Sequence, residues 1–358
     1  MSDKNTLFWT KQLVQQHARV AVAVELYTMP FYFTALASIK DTRHPYYEII
    51  QSVCIEEMLH IQLAANLCLA LDTFPCFAAP VYGHPVEFLK PYDPATGHHS
   101  LINAELGPLD ETRLGMMLDI ESPEPLLYGP SRHLTPEFPY NSIQELYDAL
   151  LSGIEQVGED SFAWSTIYQQ VLWTMEQPFP QVIDRLETAR RVVLAISRQG
   201  EGAYVPTPPQ ERLKLLEIAP LANIHMQTPA SQTPVALSTT LDPEDYPLPA
   251  EDRLATSFSY PQWTRYSHFG RFLIIENDMK RQGYRPGSNH VSAFPEVYVG
   301  RPGATDHPDI QALQQAFAAT LENMNQLWRG QVGTVMPMVR LLPLAQRCWR
   351  SGVTPVWS

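Results

Sequence analysis

Residues 45–71, PYYEIIQSVCIEEMLHIQLAANLCLAL, decide how the rest of the chain is read. Pro45 suits a first helical turn, where its missing N–H costs nothing. Apolar residues recur at Ile49, Val53, Leu59 and Leu63, a spacing that predicts one helix over the whole stretch. Inside it stands Glu57-Met58-Leu59-His60. Residues three apart share a helix face, so one carboxylate and one imidazole can reach a common point. That pairing suits iron, manganese or zinc. Val53 and Ala64 on the same face are apolar, so the pair faces inward. The competing reading is a hydrogen-bonded Glu–His pair without metal.

The stretch before it carries a second carboxylate. Glu25 lies in Val20-Ala21-Val22-Ala23-Val24-Glu25-Leu26-Tyr27, a run with no plainly polar helix face. A buried carboxylate needs a cation, a metal or several donors. A salt bridge to Arg19 or Lys40 is the alternative to a metal. Glu25 on one helix with Glu57 and His60 on the next matches half of a carboxylate-bridged two-metal site. The full pattern asks for a second Glu-x-x-His, and the chain has none. The missing half must come from separated residues, with Glu145, Glu201 and His268 as candidates. Gln199-Gly200-Glu201-Gly202 lets the backbone leave a helix and turn a carboxylate back, against the reading of an exposed helix-end glutamate. Glu145 competes with a solvated residue, and His268, among aromatics, with a satisfied core histidine.

The rest of the 358-residue chain supports a helical frame. Helices are expected over Leu7–Lys40, from Asn141-Ser142 through Ile154, over Gln181–Gln199, Pro261–Lys280 and Ile310–Arg329, and around Met336–Arg350. Pro30 marks a kink in the first of them. Residues 74–139 are broken by prolines and read as connection, with a short helix around Thr112–Ile120. Ala203–Ser257 holds nine prolines and reads as a surface excursion. The expected architecture is all-α. One domain has its helical core at about 7–71, 141–202 and 258–350, with irregular, Pro-rich insertions at about 74–139 and 203–257.

Acidic residues outnumber basic ones 38 to 25, for a net charge of −13. That balance argues against nucleic acid or an anionic membrane as partner, since both call for a basic footprint. The four cysteines form no Cys-x-x-Cys pair and fit a reduced cytoplasm. Glu25 and Pro30 make residues 20–39 a poor membrane span. The N-terminus lacks the character of a secretory leader, and no Walker loop, GxGxxG or GxSxG occurs.

Several segments in order carry a resemblance. They are Glu25-Leu26-Tyr27 with Pro30–Leu36; Glu56–His60 with Ala64–Leu67; Asp119–Glu124; Ile143–Tyr147; Gln199–Gly202; and His268–Phe272. Together they resemble the ferritin-like family of iminophenylpyruvate dimer synthases, over about residues 7–345. That resemblance implies a ferritin-like helical bundle with Glu25, Glu57, His60, Glu201, His268 and Glu145 as metal ligands. Glu121, which also falls in a family motif, is left as structural. The implied function is a non-haem di-iron oxidase or oxygenase. It would use two Fe ions and dioxygen on a small, amino-acid-derived substrate of specialised metabolism; Mn and Zn are alternative metals. The alternative functions are a non-redox metal-dependent hydrolase or lyase, and a ferritin-like metal-binding protein without catalysis. The oligomeric state stays open, a homo-oligomer included.

Overall fold

The structure is a computed structural model that describes residues 8–93, 98–123, 135–164, 167–172, 182–202, 242–253, 260–281 and 295–358. Two long helices form its centre, α1 (Lys11–Ser38) and α2 (Pro45–Ala70). Thr10 caps α1 by accepting from Leu13 N, and α2 opens with Pro45 behind the His44 cap. Both helices are apolar nearly all round, the mark of a helix enclosed on every side. Each is long and apolar enough to cross a membrane, yet 89% of each apolar window is buried inside the protein. Their hydrophobic surface is therefore spent on the core. α1 stays helical through Pro30.

Around this pair lie α3 (Glu111–Glu121), α4 (Ile143–Val157), α5 (Leu186–Gly200) and α6 (His268–Arg281). α7 (Pro308–Leu327) and α8 (Leu341–Arg350) follow. α4 packs on α1, α5 on α4 and α2, and α6 on α2 and α3. α8 closes the far side of α1 against α7. One contiguous apolar core takes residues from Trp9 to Trp357, with Tyr246, Phe269 and Leu273 as a small satellite. The two strands among the described residues are the two-residue pair Tyr92–Asp93 (β1) and His98–His99 (β2), so the architecture is all-α as expected.

Element boundaries differ from the sequence reading at several points. The expected helix over Gln181–Gln199 starts only at Leu186, after the extended Arg185. The expected helix over Pro261–Lys280 starts only at His268. Residues 261–265 instead make turns, and Ser267 Oγ accepts from Gly270 N at 3.1 Å to open the helix. Of the Pro-rich excursion, residues 203–241 and 254–257 lie outside the described residues. Its described part carries two short 3₁₀ turns, at Pro243–Asp245 and Ala250–Asp252, and is tied down by Leu248 N donating to Arg265 O at 2.8 Å.

His17 gives this core a pH dependence. Its ring is fully buried, stacked on Phe138 at 4.4 Å. Nδ1 donates to Leu13 O at 2.7 Å, and Nε2 lies 2.8 Å from the Tyr140 hydroxyl, which also donates to Thr135 O at 2.8 Å. Burial pushes the imidazole down from 6.5 to about 4 against the raising effect of the Leu13 carbonyl. The unfolded chain therefore takes up this proton first as pH falls. The stability His17 contributes is complete above about 6.5 and is lost progressively down to about 4, on the order of 3 kcal/mol in all. Urea unfolding of the wild type and His17→Gln across that range should converge as the pH drops; parallel curves would refute it.

Candidate metal centre

Four helices send ionisable side chains into the interior between α1, α2, α3 and α6. Glu25 comes from the middle of α1, and Glu57 and His60 from one face of α2. Glu121 ends α3 and His268 begins α6. All five are at most 2% exposed. The helix ends matter here, because a residue at a terminus reaches inward past its own helix.

The atoms fall into two groups about Glu57. On one side His60 Nδ1 lies 3.6 Å from Glu25 Oε2 and 3.9 Å from Glu57 Oε2. On the other, His268 Nδ1 lies 2.9 Å from Glu57 Oε1 and 3.6 Å from Glu121 Oε2. Glu57 thus turns one oxygen to each side. Each side adds one imidazole and one terminal carboxylate. Ligand atoms around one ion at bond lengths near 2.1 Å sit roughly 3–3.5 Å apart, and each imidazole stands near that spacing from the carboxylates on its side. Among the described residues, Glu57, His60 and His268 form a group whose ligand atoms all lie within 4.8 Å of one another.

The far oxygens of the terminal carboxylates are fixed by buried phenols. Tyr147 donates to Glu25 Oε1 at 2.7 Å and Tyr32 to Glu121 Oε1 at 2.6 Å. Burial and the neighbouring carboxylates hold both hydroxyls well above their usual range, so they remain donors. Thr28 Oγ1 lies 2.8 Å from Glu57 Oε2. Gly200 at the end of α5 crowds the centre, since a Cβ there would stand 3.1 Å from Glu121 Oε2. Gly202 has φ +79°, and a Cβ on it would meet Ser267 Oγ at 2.8 Å. Only glycine lets the end of α5 pass this close to the start of α6.

Electrostatics show what the centre requires. Burial and the charge of Glu121 raise Glu57 to about 7. Burial would lower both imidazoles, but the carboxylates outweigh it. His268 is driven well above its usual range, chiefly by Glu121, and His60 is raised by Glu25 and Glu57. Like charges held this close demand positive charge. Protons on the imidazoles meet that demand in part, and metal cations would meet it fully. The donor set is carboxylate and imidazole. Burial and Glu57 raise the Cys54 thiol well above its usual range, which keeps it from serving as a thiolate ligand.

Of the residues singled out from sequence, Glu25, Glu57, His60 and His268 come together. The alternative ion pairs for Glu25 do not form. Arg19 donates to Thr73 Oγ1, and Lys40 pairs with Glu296. Glu145 and Glu201 are buried as well, but each sets an oxygen on the start of α4. Glu145 Oε2 accepts from Asn141 N at 2.6 Å and Glu201 Oε1 from Gln144 N at 2.7 Å. Glu121, left as structural above, stands on the His268 side. The signal for it was the spacing Leu114, Met117, Glu121, which puts the carboxylate on the buried face of α3.

Residues 18–213 match the family described as ferritin-like. The chain belongs to the ferritin-like family. The matched span includes Glu25, Glu57, His60 and Glu121, while His268 lies beyond it. This ferritin-like protein is similar to a ferritin-like protein of Caulobacter vibrioides of known crystal structure. The TM-score is 0.67 at 25% identity, over 98% of this chain and 100% of the other. No protein with a curated description matches the sequence. Membership in the ferritin-like family brings a scaffold used by di-iron proteins, with and without catalysis.

Proposed function

We propose that this ferritin-like protein is a non-haem di-iron oxidase or oxygenase of the kind the iminophenylpyruvate dimer synthases represent. It acts in the cytoplasm on a small, amino-acid-derived molecule of specialised metabolism. The observation that carries the reading is the division of Glu57 between two groups, each completed by one imidazole and one carboxylate. Glu25, Glu57 and His60 would hold one ion and Glu57, Glu121 and His268 the other. Bound Fe(II) would supply the electrons that reduce dioxygen. Oxygen-rich ligation with two imidazoles suits Fe(II) and tolerates Fe(III), whereas a structural zinc site favours thiolate and imidazole.

The chain's own groups do the rest. Glu57, with one oxygen toward each imidazole, would be a ligand to both ions. Tyr147 and Tyr32 hold the terminal carboxylates in register through their outer oxygens. The apolar walls of α1 and α2 keep bulk water from the centre. The test is metal content and oxygen consumption of anaerobically purified protein. About two irons per chain, with oxygen uptake stimulated by a small aromatic amino acid, is the expected result. Zinc alone, without uptake, would favour a hydrolase or lyase, and a metal-free protein would defeat both readings.

A further inference from the structure

The two imidazoles of the centre differ in what stands behind them. His60 Nε2 faces Gln199 Oε1 at 2.7 Å. Gln199 Nε2 donates to Asp252 O at 2.7 Å, which fixes the amide with its carbonyl toward the ring. With a metal bound, His60 would keep its proton on Nε2 and present the Nδ1 lone pair to the ion between Glu25 and Glu57. His268 is set the same way by a different group, its Nε2 lying 3.0 Å from Glu56 Oε2. Glu56 is fully buried on α2, beside Glu57 but about a hundred degrees around the helix, so it faces α6. Arg271, one turn along α6, grips it at 2.8 and 3.0 Å. The paired guanidinium supplies the opposite charge that a buried carboxylate needs, so Glu56 meets the His268 ring as a charged acceptor.

We propose that Glu56 is a positioning residue that makes the His268 side the tighter of two unequal metal positions, while neutral Gln199 leaves the His60 side weaker. The inference rests on the two-metal reading above. A ligated imidazole that gives its outer N–H to a carboxylate becomes a stronger donor at its inner nitrogen than one that gives it to an amide. Outer partners of this kind change metal affinity by about 10- to 100-fold. Arg271 moderates the charge of Glu56 and locks its direction, so the ring of His268 has one orientation. The two positions share Glu57 and have matching terminal carboxylates, each bound to a phenol. They differ in the outer partners of the imidazoles, and in Thr28 Oγ1, which stands 2.8 Å from Glu57 Oε2 on the His60 side.

The test is Co(II) titration of metal-free protein, followed by the visible absorption of bound cobalt. The wild type should fill in two steps at least about tenfold apart. His268→Ala should lose the tight step and His60→Ala the weak one. Glu56→Gln alone strands a buried guanidinium, so it is paired with Arg271→Gln. That double variant should weaken the tight step about tenfold or more and leave the weak step unchanged. Two equal steps in the wild type would overturn the inference while leaving the two-metal reading standing. So would a double variant that weakens both steps alike, or a tight step that survives His268→Ala. A wild type that binds one cobalt or none would overturn the two-metal reading, and the inference with it.

Discussion

Glu57→Ala is expected to strip both metal ions from the protein, where loss of Glu25 or Glu121 removes about one each. The reason is geometric. Glu57 sends Oε2 toward His60 and Oε1 toward His268, so each position depends on it. Glu25 serves the His60 side and Glu121 the His268 side. Oxygen uptake should fall at least a hundredfold in Glu57→Ala, because the chemistry needs the metals. The variant should still fold. In metal-free protein Glu57 is a burden near neutral pH, since its ionised form is disfavoured by burial and by Glu121. A carboxyl raised to about 7 supports the fold fully below its ordinary value and loses that support as pH rises through about 7. Metal-free wild type should therefore weaken over that rise more than metal-free Glu57→Ala. Iron counts with urea unfolding at two pH values read both effects. One retained iron in Glu57→Ala would refute the bridging role.

Arg271→Met is expected to cause the largest loss of stability of any single change at the centre, about 3–5 kcal/mol in urea unfolding of metal-free protein. The guanidinium is fully buried. It pairs with Glu56 at 2.8 Å and donates to Ser52 Oγ and to the carbonyls of Trp263 and Tyr266. Removing it leaves Glu56 charged in the core beside His268, together with carbonyls that have lost a donor. Changing Glu56 to Gln in the same chain removes the stranded charge and should recover more than half of the loss. No recovery in the double variant would mean that Arg271 acts through its backbone contacts and not through Glu56.

The helical frame was legible because its strongest elements are punctuated by chemistry that acts locally. Ser142 accepts from Glu145 N and Pro45 opens α2, as their positions in the sequence suggest. α6 was misjudged at its start because Pro261 looks like a first-turn proline, whereas the chain turns through Trp263 and Tyr266 before Ser267 can cap. Glu25, Glu57 and His60 stood out as charges in apolar surroundings, a contrast that survives without a fold. Glu121 did not. It closes an 11-residue helix inside a proline-broken stretch, and its partner His268 is brought in from 147 positions away by the packing of α3 on α6. Glu145 carried a local signal of its own, since Ser142-x-x-Glu145 has the form of a capping box, and the structure gives it a backbone N–H at α4. Glu56 and Gln199 were hidden for another reason. They matter through the histidines they face, and a facing residue on another helix leaves no periodic trace.

The central claim is that one carboxylate, Glu57, joins two metal positions of different composition. Anomalous diffraction at the iron absorption edge, from crystals of the protein grown with Fe(II) under anaerobic conditions, tests it most directly. The account predicts two peaks flanking the Glu57 carboxylate. One lies among Glu25, Glu57 and His60, the other among Glu57, Glu121 and His268. A single peak, or iron seated at Glu145 and Glu201 beside the start of α4, would contradict it.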